Sequence, residues 1–147
     1  MRIKAFVAML LLTLPATAAV FTVTPLKADN GTVAGCLAQD ASAAVGFLAV
    51  GDTVVMLAHS DAFVIANGAA VRGTYAVDGA VPVGFSGTAD SANTASIPVS
   101  NDAESVAALV SGNRLTVVAN GKTATFDIAN TAQAFTGLMQ CMSDEAK

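Results

Sequence analysis

Short apolar runs separated by Gly, Asn and Asp follow one another along this 147-residue sequence. This alternation of apolar runs and turn residues predicts a fold built from antiparallel hairpins. Each run is too short for an ordinary helix, and most contain the β-branched residues that strands favour. The runs cover residues 45–50, 53–58, 62–66, 70–77 and 80–87, and a further strand is predicted around Ile97, Pro98 and Val99. Because Pro cannot donate a ladder hydrogen bond, we expect this last strand at a sheet edge.

The segment 114–128 contains the clearest hairpin, because Asn120-Gly121 is the dipeptide that favours a two-residue type I′ turn. Pairing outward from this turn separates apolar pairs from polar pairs on the two faces of the hairpin. The predicted apolar pairs are Val117–Ala124 and Leu115–Phe126, and the predicted polar pairs are Thr116–Thr125 and Arg114–Asp127. Arg114 and Asp127 are therefore predicted to be a surface cross-strand pair.

Two other segments have helical spacing. Asn101 and Glu104 are spaced as a capping box, and Gly112 stands where that helix should end. A second helix is predicted to begin at Asn130 and to place an apolar stripe on the sheet; the stripe is Ala134, Leu138, Cys141 and Met142. The predicted fold is mainly β (α+β): an antiparallel curved sheet, partial barrel or sandwich closed by a C-terminal helix, with one further short helix.

Residues 1–18 have the composition of a cleavable secretory signal peptide. Arg2 and Lys4 precede an uncharged apolar run, Pro15 ends it, and small residues follow up to Ala18, after which cleavage is predicted. The run is about ten residues long, whereas a membrane-spanning helix needs roughly 20. An uncleaved N-terminal anchor is the alternative. Residues 19–147 are predicted to form a single β-rich extracytoplasmic domain.

Charge limits the partners of this domain. Of the 7 Lys and Arg residues, Arg2 and Lys4 lie in the signal peptide, which leaves 5 against 11 acidic residues and a formal charge of −6. Such a chain repels phosphate backbones, so nucleic acid and anionic membranes are disfavoured as partners.

The chain contains two cysteines, Cys36 and Cys141, which lie near opposite ends of the predicted domain. In a chain addressed to an oxidising compartment, a disulfide between them is the default prediction. Reactive or metal-binding thiols are the alternative, although the chain has no Cys-x-x-Cys and a single His.

The C-terminal segment 126–141, FDIANTAQAFTGLMQC, runs from an alternating strand through small polar residues into an Ala-rich helix. It resembles the tail of small exported proteins of alphaproteobacteria, among them the invasion-associated locus B family. The resemblance extends from the Asn-Gly hairpin to the C-terminus and includes no catalytic motif. It implies an exported location and a β-rich architecture.

Few residues suggest chemistry. His59 is followed by Ser60 and Asp61, yet neighbours in a tight turn point in different directions, so a solvated turn is predicted instead of a hydrolytic set. Ser86 in Gly84-Phe85-Ser86-Gly87 lacks the spacing of a nucleophile elbow. Met139 and Met142 could hold Cu(I) as soft ligands, but methionines at helical spacing more often fill a core. No catalytic residue, cofactor or metal is predicted.

The sequence therefore predicts an exported, non-catalytic interaction or structural domain of the bacterial envelope or secretome, whose partner is another protein. The alternative is a small secreted inhibitor of a hydrolase, which would present the 59–61 turn or the 87–94 loop to an enzyme. An enzyme is the third hypothesis. We expect the mature chain to reside in the periplasm or the medium.

Overall fold

The structure is a computed structural model and describes residues 21–100 and 102–145. The predicted signal peptide, residues 1–18, lies outside the described residues. Within those residues the chain forms nine strands and two helices. In chain order they are β1 Phe21–Lys27, β2 Val33–Asp40, β3 Val45–Val50, β4 Thr53–His59, β5 Ala70–Val77, β6 Val83–Thr88, β7 Thr94–Val99, α1 Ala103–Ser111, β8 Arg114–Ala119, β9 Lys122–Asp127 and α2 Thr131–Glu145.

The strands form two antiparallel sheets, which confirms the predicted fold class. One sheet has five strands in the order β1-β2-β3-β4-β7, and the other has four in the order β6-β5-β8-β9. The two sheets do not close into a barrel. Pro98 lies on β7, which is an edge strand of the five-stranded sheet, as predicted.

The core lies between the sheets and beneath α2. Strands of the five-stranded sheet turn Phe47, Met56 and Ile97 inward, and all three are fully buried. The α2 side chain of Phe135 packs on Phe47, with 5.1 Å between ring centroids. Helix α2 therefore covers the inner face of β1–β3. The aromatic contact between Phe63 and Phe126, at 6.4 Å between ring centroids, joins the loop after β4 to the second sheet.

The β8–β9 hairpin has the predicted register at every position. Arg114 faces Asp127, and Leu115 faces Phe126. The turn residues Asn120 and Gly121 have φ values of 48° and 81°, which a two-residue type I′ turn requires. The Asn120 side chain also accepts a hydrogen bond from the backbone N–H of Arg72 at 2.9 Å, so this turn is tied to the neighbouring strand β5.

Two predicted strands differ in the structure. Residues 62–66 form no strand; Phe63 and Ile65 are buried as loop residues, and the Ile65 N–H donates to the Asn93 side chain at 3.2 Å instead of to a ladder. Strand β6 begins at Val83 instead of residue 80, because Asp78 and Gly79 form a turn with positive φ values and Pro82 cannot donate to a partner strand.

The predicted start of the first helix is wrong by one residue. Helix α1 is capped by Asp102, whose carboxylate accepts a hydrogen bond from the Ser105 N–H at 2.8 Å. Asn101, the predicted cap, lies outside the described residues. The predicted end is confirmed, because α1 stops at Ser111 and Gly112 follows in extended conformation. A side chain at Gly112 would collide with Val77, so this position also needs glycine for packing.

Candidate interaction surfaces

Cys36 and Cys141 form a disulfide, as predicted. Cys36 is fully buried on β2, whereas Cys141 is half-buried on α2. The bond fixes the closing helix to the second strand across a sequence separation of 105 residues. It indicates an oxidising location outside the cytoplasm.

The residues of the His59-Ser60-Asp61 turn do not act together. The His59 Nδ1 atom lies 3.0 Å from the Thr94 hydroxyl. The Ser60 hydroxyl instead accepts a hydrogen bond from the Ala62 N–H at 3.1 Å, and Asp61 is exposed. The hydrogen bonds of this turn therefore run to separate partners, which is the arrangement of a solvated turn.

A different set of hydroxyls surrounds His59. The Ser91 hydroxyl donates to Thr94 Oγ1 at 2.9 Å, and these residues line a cleft of about 260 Å³ with Leu57. We call this space the His59 cleft. The hydrogen-bond partner of the His59 imidazole is this Thr94 hydroxyl, whereas in a catalytic triad a carboxylate holds that place.

The other residues considered for chemistry are also apart. Ser86 is exposed on strand β6 opposite Arg72, far from the strand-to-helix context of a nucleophile elbow. Met139 is 70% exposed, whereas Met142 packs against the core. His59, the single His of the chain, lies on the outward side of the five-stranded sheet, whereas α2 packs on its inward side. Within residues 21–100 and 102–145, no group of three or more His, Cys, Asp or Glu side chains is arranged to hold a metal ion.

An open apolar groove of about 720 Å³ separates the two helices. We call it the helix groove. Val106 and Val110 of α1 form one wall, and Phe135 and Met139 of α2 form the other. Ala132, Thr136, Gln140 and Ser143 complete the lining. The sequence did not predict this groove, because it arises from the packing of two helices that the β8–β9 hairpin separates along the chain.

A second apolar surface is the outward side of the five-stranded sheet, which we call the outer face. The strand registers place Leu37, Leu48, Val55 and Pro98 side by side in one row across four strands. Val50 and Leu57 flank this row, and Val50 is 47% exposed. Helix α2 packs on the opposite side of the sheet, and the His59 cleft lies at one end of the outer face.

The sequence contained a signal for the outer face. Segments 45–50 and 54–58 are continuous apolar runs, whereas a strand with one solvated face alternates apolar and polar residues. Continuous runs indicate that both faces of a strand are apolar. In the structure the inner face is filled by the core, and the outer face remains open among the described residues.

Two ionisable groups have shifted pKa values, and both lie near the start of α1. Hydrogen bonds from the Ser100 hydroxyl and from the N–H and hydroxyl of Ser105 lower the pKa of Asp102 to about 2. Burial, and to a smaller extent the charge of Asp102, raises the pKa of Tyr75. The shift of Asp102 follows from helix capping, and the shift of Tyr75 follows mainly from burial.

Comparison of the chain with protein-family models, with curated proteins and with solved structures finds no match. None of the described helices is both long and apolar enough to cross a membrane.

Proposed function

We propose that this chain is an exported, non-catalytic interaction domain of the bacterial envelope or secretome, and that it binds another protein through the helix groove. The groove itself carries the proposal. It is concave and mainly apolar, and its Met139 side chain is 70% exposed. Its other large apolar side chains, Val106, Val110 and Phe135, are partly buried. An apolar groove that holds an exposed methionine is typical of interaction sites on soluble proteins.

The construction of the groove supports this role. The disulfide holds α2 on β2 close to the groove wall, so a partner would meet a largely preformed surface and lose little chain entropy on binding. Phe135 and Met139 are residue types enriched at the centres of protein interfaces, and the methionine side chain adapts to differently shaped partners.

Several observations support export. The disulfide, the composition of residues 1–18 and the resemblance of the C-terminal tail to exported alphaproteobacterial proteins all favour the periplasm or the medium. The mature chain is expected to begin at Ala19 or within two residues of it. Intact-mass measurement of exported material tests this, and retention of residues 1–18 would contradict it.

The inhibitor alternative needs a projecting loop. The Ser60 N–H donates to the Asn93 carbonyl, and the Asn93 N–H donates to the Ile65 carbonyl. The two loops that an inhibitor would present are therefore bound to each other, an arrangement less suited to insertion into an active site. No observation favours this alternative over the interaction domain.

Site-specific photocrosslinking tests the proposed function. A photoreactive residue at position 139 should give one discrete crosslinked product in the bacterium that exports the protein, whereas the same residue at the exposed position of Thr123 on β9 should not. Ala132→Glu places a charge in the groove lining and should reduce the yield at least tenfold. Gln133→Glu is the matched control, because it adds the same charge at the adjacent exposed position outside the lining.

Equal yields from positions 139 and 123 would contradict the proposed function. So would a product that persists unchanged in the Ala132→Glu variant. Mass spectrometry of the specific product would identify the partner.

A further inference from the structure

We propose that the helix groove takes a basic amphipathic helix, which lays its apolar stripe between α1 and α2 and directs Lys or Arg side chains toward one acidic end of the groove. This inference rests on the proposed function, because it names the chemistry of the partner at the same groove. The charge of the partner and its helical conformation follow from different features of that groove.

The two helices meet at one end of the groove. A Cβ at Gly112, the residue just after α1, would lie 3.4 Å from the Ile128 side chain. The first residue of α2, Thr131, donates its N–H to the Ile128 carbonyl at 3.1 Å. Ile128 therefore joins the end of α1 to the start of α2. From there the lining runs back along α1 to Val106 and forward along α2 to Ser143, so the start of α1 and the end of α2 lie toward the other end.

This other end, which we call the acidic end, carries four exposed carboxylates. Asp102 caps α1 and Glu104 follows in its first turn, whereas Asp144 and Glu145 are the last residues of α2. Asp144 borders the groove directly, because its carboxylate accepts a hydrogen bond from the side-chain amide of Gln140, a lining residue, at 2.9 Å. The acidic end therefore presents negative charge next to an apolar surface.

Neither helix offsets this charge with a cation of its own. Within Ala103–Ser111 and Thr131–Glu145 there is no Lys or Arg. Acidic residues in the last turn of α2 oppose the helix dipole, which favours Lys or Arg at a helix C-terminus. Lys147 lies outside the described residues. The described basic residues all lie on strands: Lys27, Arg72, Arg114 and Lys122. A partner with Lys or Arg side chains would supply the positive charge that the two helices lack.

The charge of the whole domain favours the same class of partner. Residues 19–147 have a formal charge of −6, which attracts a cationic segment from a distance and speeds its encounter with the groove. The same charge repels a second copy of this chain and any anionic amphiphile, such as a fatty acid. Apolar contacts would then hold the partner, while charge selects it.

The walls of the groove determine the backbone conformation of the partner. Both walls are helices, whose main-chain groups bond within each helix, so they offer no free strand edge to an extended segment. A helical partner satisfies its own main-chain groups and presents apolar side chains along one stripe. Ala132 and Ser143 lie about 17 Å apart along the axis of α2, so the groove accommodates about three turns of a partner helix.

Fluorescence anisotropy with a synthetic peptide tests the proposal. The probe is a labelled peptide of roughly 18 Leu and Lys residues in which Leu recurs at helical spacing. One control peptide has the same residues in an order without an apolar stripe, and a second replaces every Lys by Glu. We expect a dissociation constant on the order of 50 μM for the probe and at least about tenfold weaker binding for each control. Raising salt from about 20 to 300 mM should weaken binding of the probe at least threefold.

A charge reversal at the acidic end tests where the probe binds. Asp144→Lys should weaken binding at least about fivefold by repelling the cationic peptide. The variant is expected to fold, because a cation suits the end of a helix. Asp61→Lys is the matched control, since Asp61 is also exposed and its replacement changes the net charge equally, yet it lies in the loop after β4, outside the groove lining. This control should weaken binding less than about twofold.

Absence of saturable binding of the probe up to about 1 mM would overturn the proposal. So would equal binding of the probe and either control peptide, or equal effects of Asp144→Lys and Asp61→Lys. A specific crosslinked partner at position 139, combined with no preference for the cationic peptide, would refute the basic helix and leave the proposed function standing. Loss of the specific product at position 139 would contradict the proposed function whatever the peptides do, so the two failures are distinguishable.

Discussion

Removing the disulfide with the double substitution Cys36→Ala and Cys141→Ala would release a closure that spans 105 residues of sequence. In the chain-entropy account, opening a loop of this length costs about 4.7 kcal/mol of stability at 25 °C. Domains of this kind have a free energy of unfolding of about 5–15 kcal/mol in total. The disulfide would therefore account for roughly a third of this free energy or more. The corresponding fall in melting temperature is roughly 15 °C.

The native fold should nevertheless persist in the double variant. Helix α2 keeps its buried Ala134 and Leu138 and the packing of Phe135 on Phe47, none of which needs the bond. The loss of stability therefore comes mainly from the higher conformational entropy of an unfolded state that the disulfide no longer constrains. A less compact unfolded state also exposes more surface, so the denaturant m-value should rise.

Urea unfolding followed by circular dichroism measures both quantities, and reduced wild-type protein provides a second route to the open chain. The free energies of unfolding of the double variant and of the reduced wild-type protein should agree within about 1 kcal/mol, because both lack the same covalent constraint. Reduction of the folded protein should begin at the half-buried Cys141 sulfur, since Cys36 is fully buried. A stability loss below about 1 kcal/mol in both forms would refute the reasoning, and rapid alkylation of two free thiols in freshly exported protein would refute the bond itself.

Three further predictions concern turns, close packing and charge. Gly121→Val should cost at least about 1 kcal/mol in thermal unfolding, because φ there is 81°, and Gly121→Asn should cost less. Gly73→Ala should cost about 3 kcal/mol, since its Cβ would overlap the Val118 carbonyl on the neighbouring strand, whereas Gly84→Ala meets no atom within 4 Å and should change stability little. For Asp102, the folded pKa of about 2 lies below the ordinary value of 3.8, so its contribution to stability is complete above about pH 5 and is lost progressively as pH falls toward 2. Asp102→Asn should flatten the acid-unfolding profile across this window, and an unchanged profile would contradict the assignment.

The sequence predicted those parts of the fold that depend on local chemistry. The β8–β9 register followed from Asn120-Gly121 and from the separation of apolar pairs from polar pairs, and the disulfide followed from two cysteines in a chain that was predicted to be exported. The predicted strand at 62–66 was wrong because tertiary contacts determine that segment. Phe63 and Ile65 enter the core individually, and the Asn93 side chain supplies the hydrogen bond that a strand partner would have supplied.

Neither candidate surface could be predicted in full. The helix groove depends on how α1 and α2 meet, and no local pattern in either helix specifies that geometry. The outer face depends on the order of strands in the sheet. Leu37, Leu48, Val55 and Pro98 form a row only because β7 pairs with β4 after two strands of the other sheet have intervened.

The position of α2 in the chain has a consequence for when the protein can fold. This helix follows every strand, yet it covers the inner face of the first three and bonds to the second. A growing chain therefore has no cover for β1–β3 until the α2 segment has been made, and the contact across 105 residues must wait for it. Delayed folding of this kind would suit the export proposed above, because a chain that crosses a membrane unfolded must not close its core beforehand.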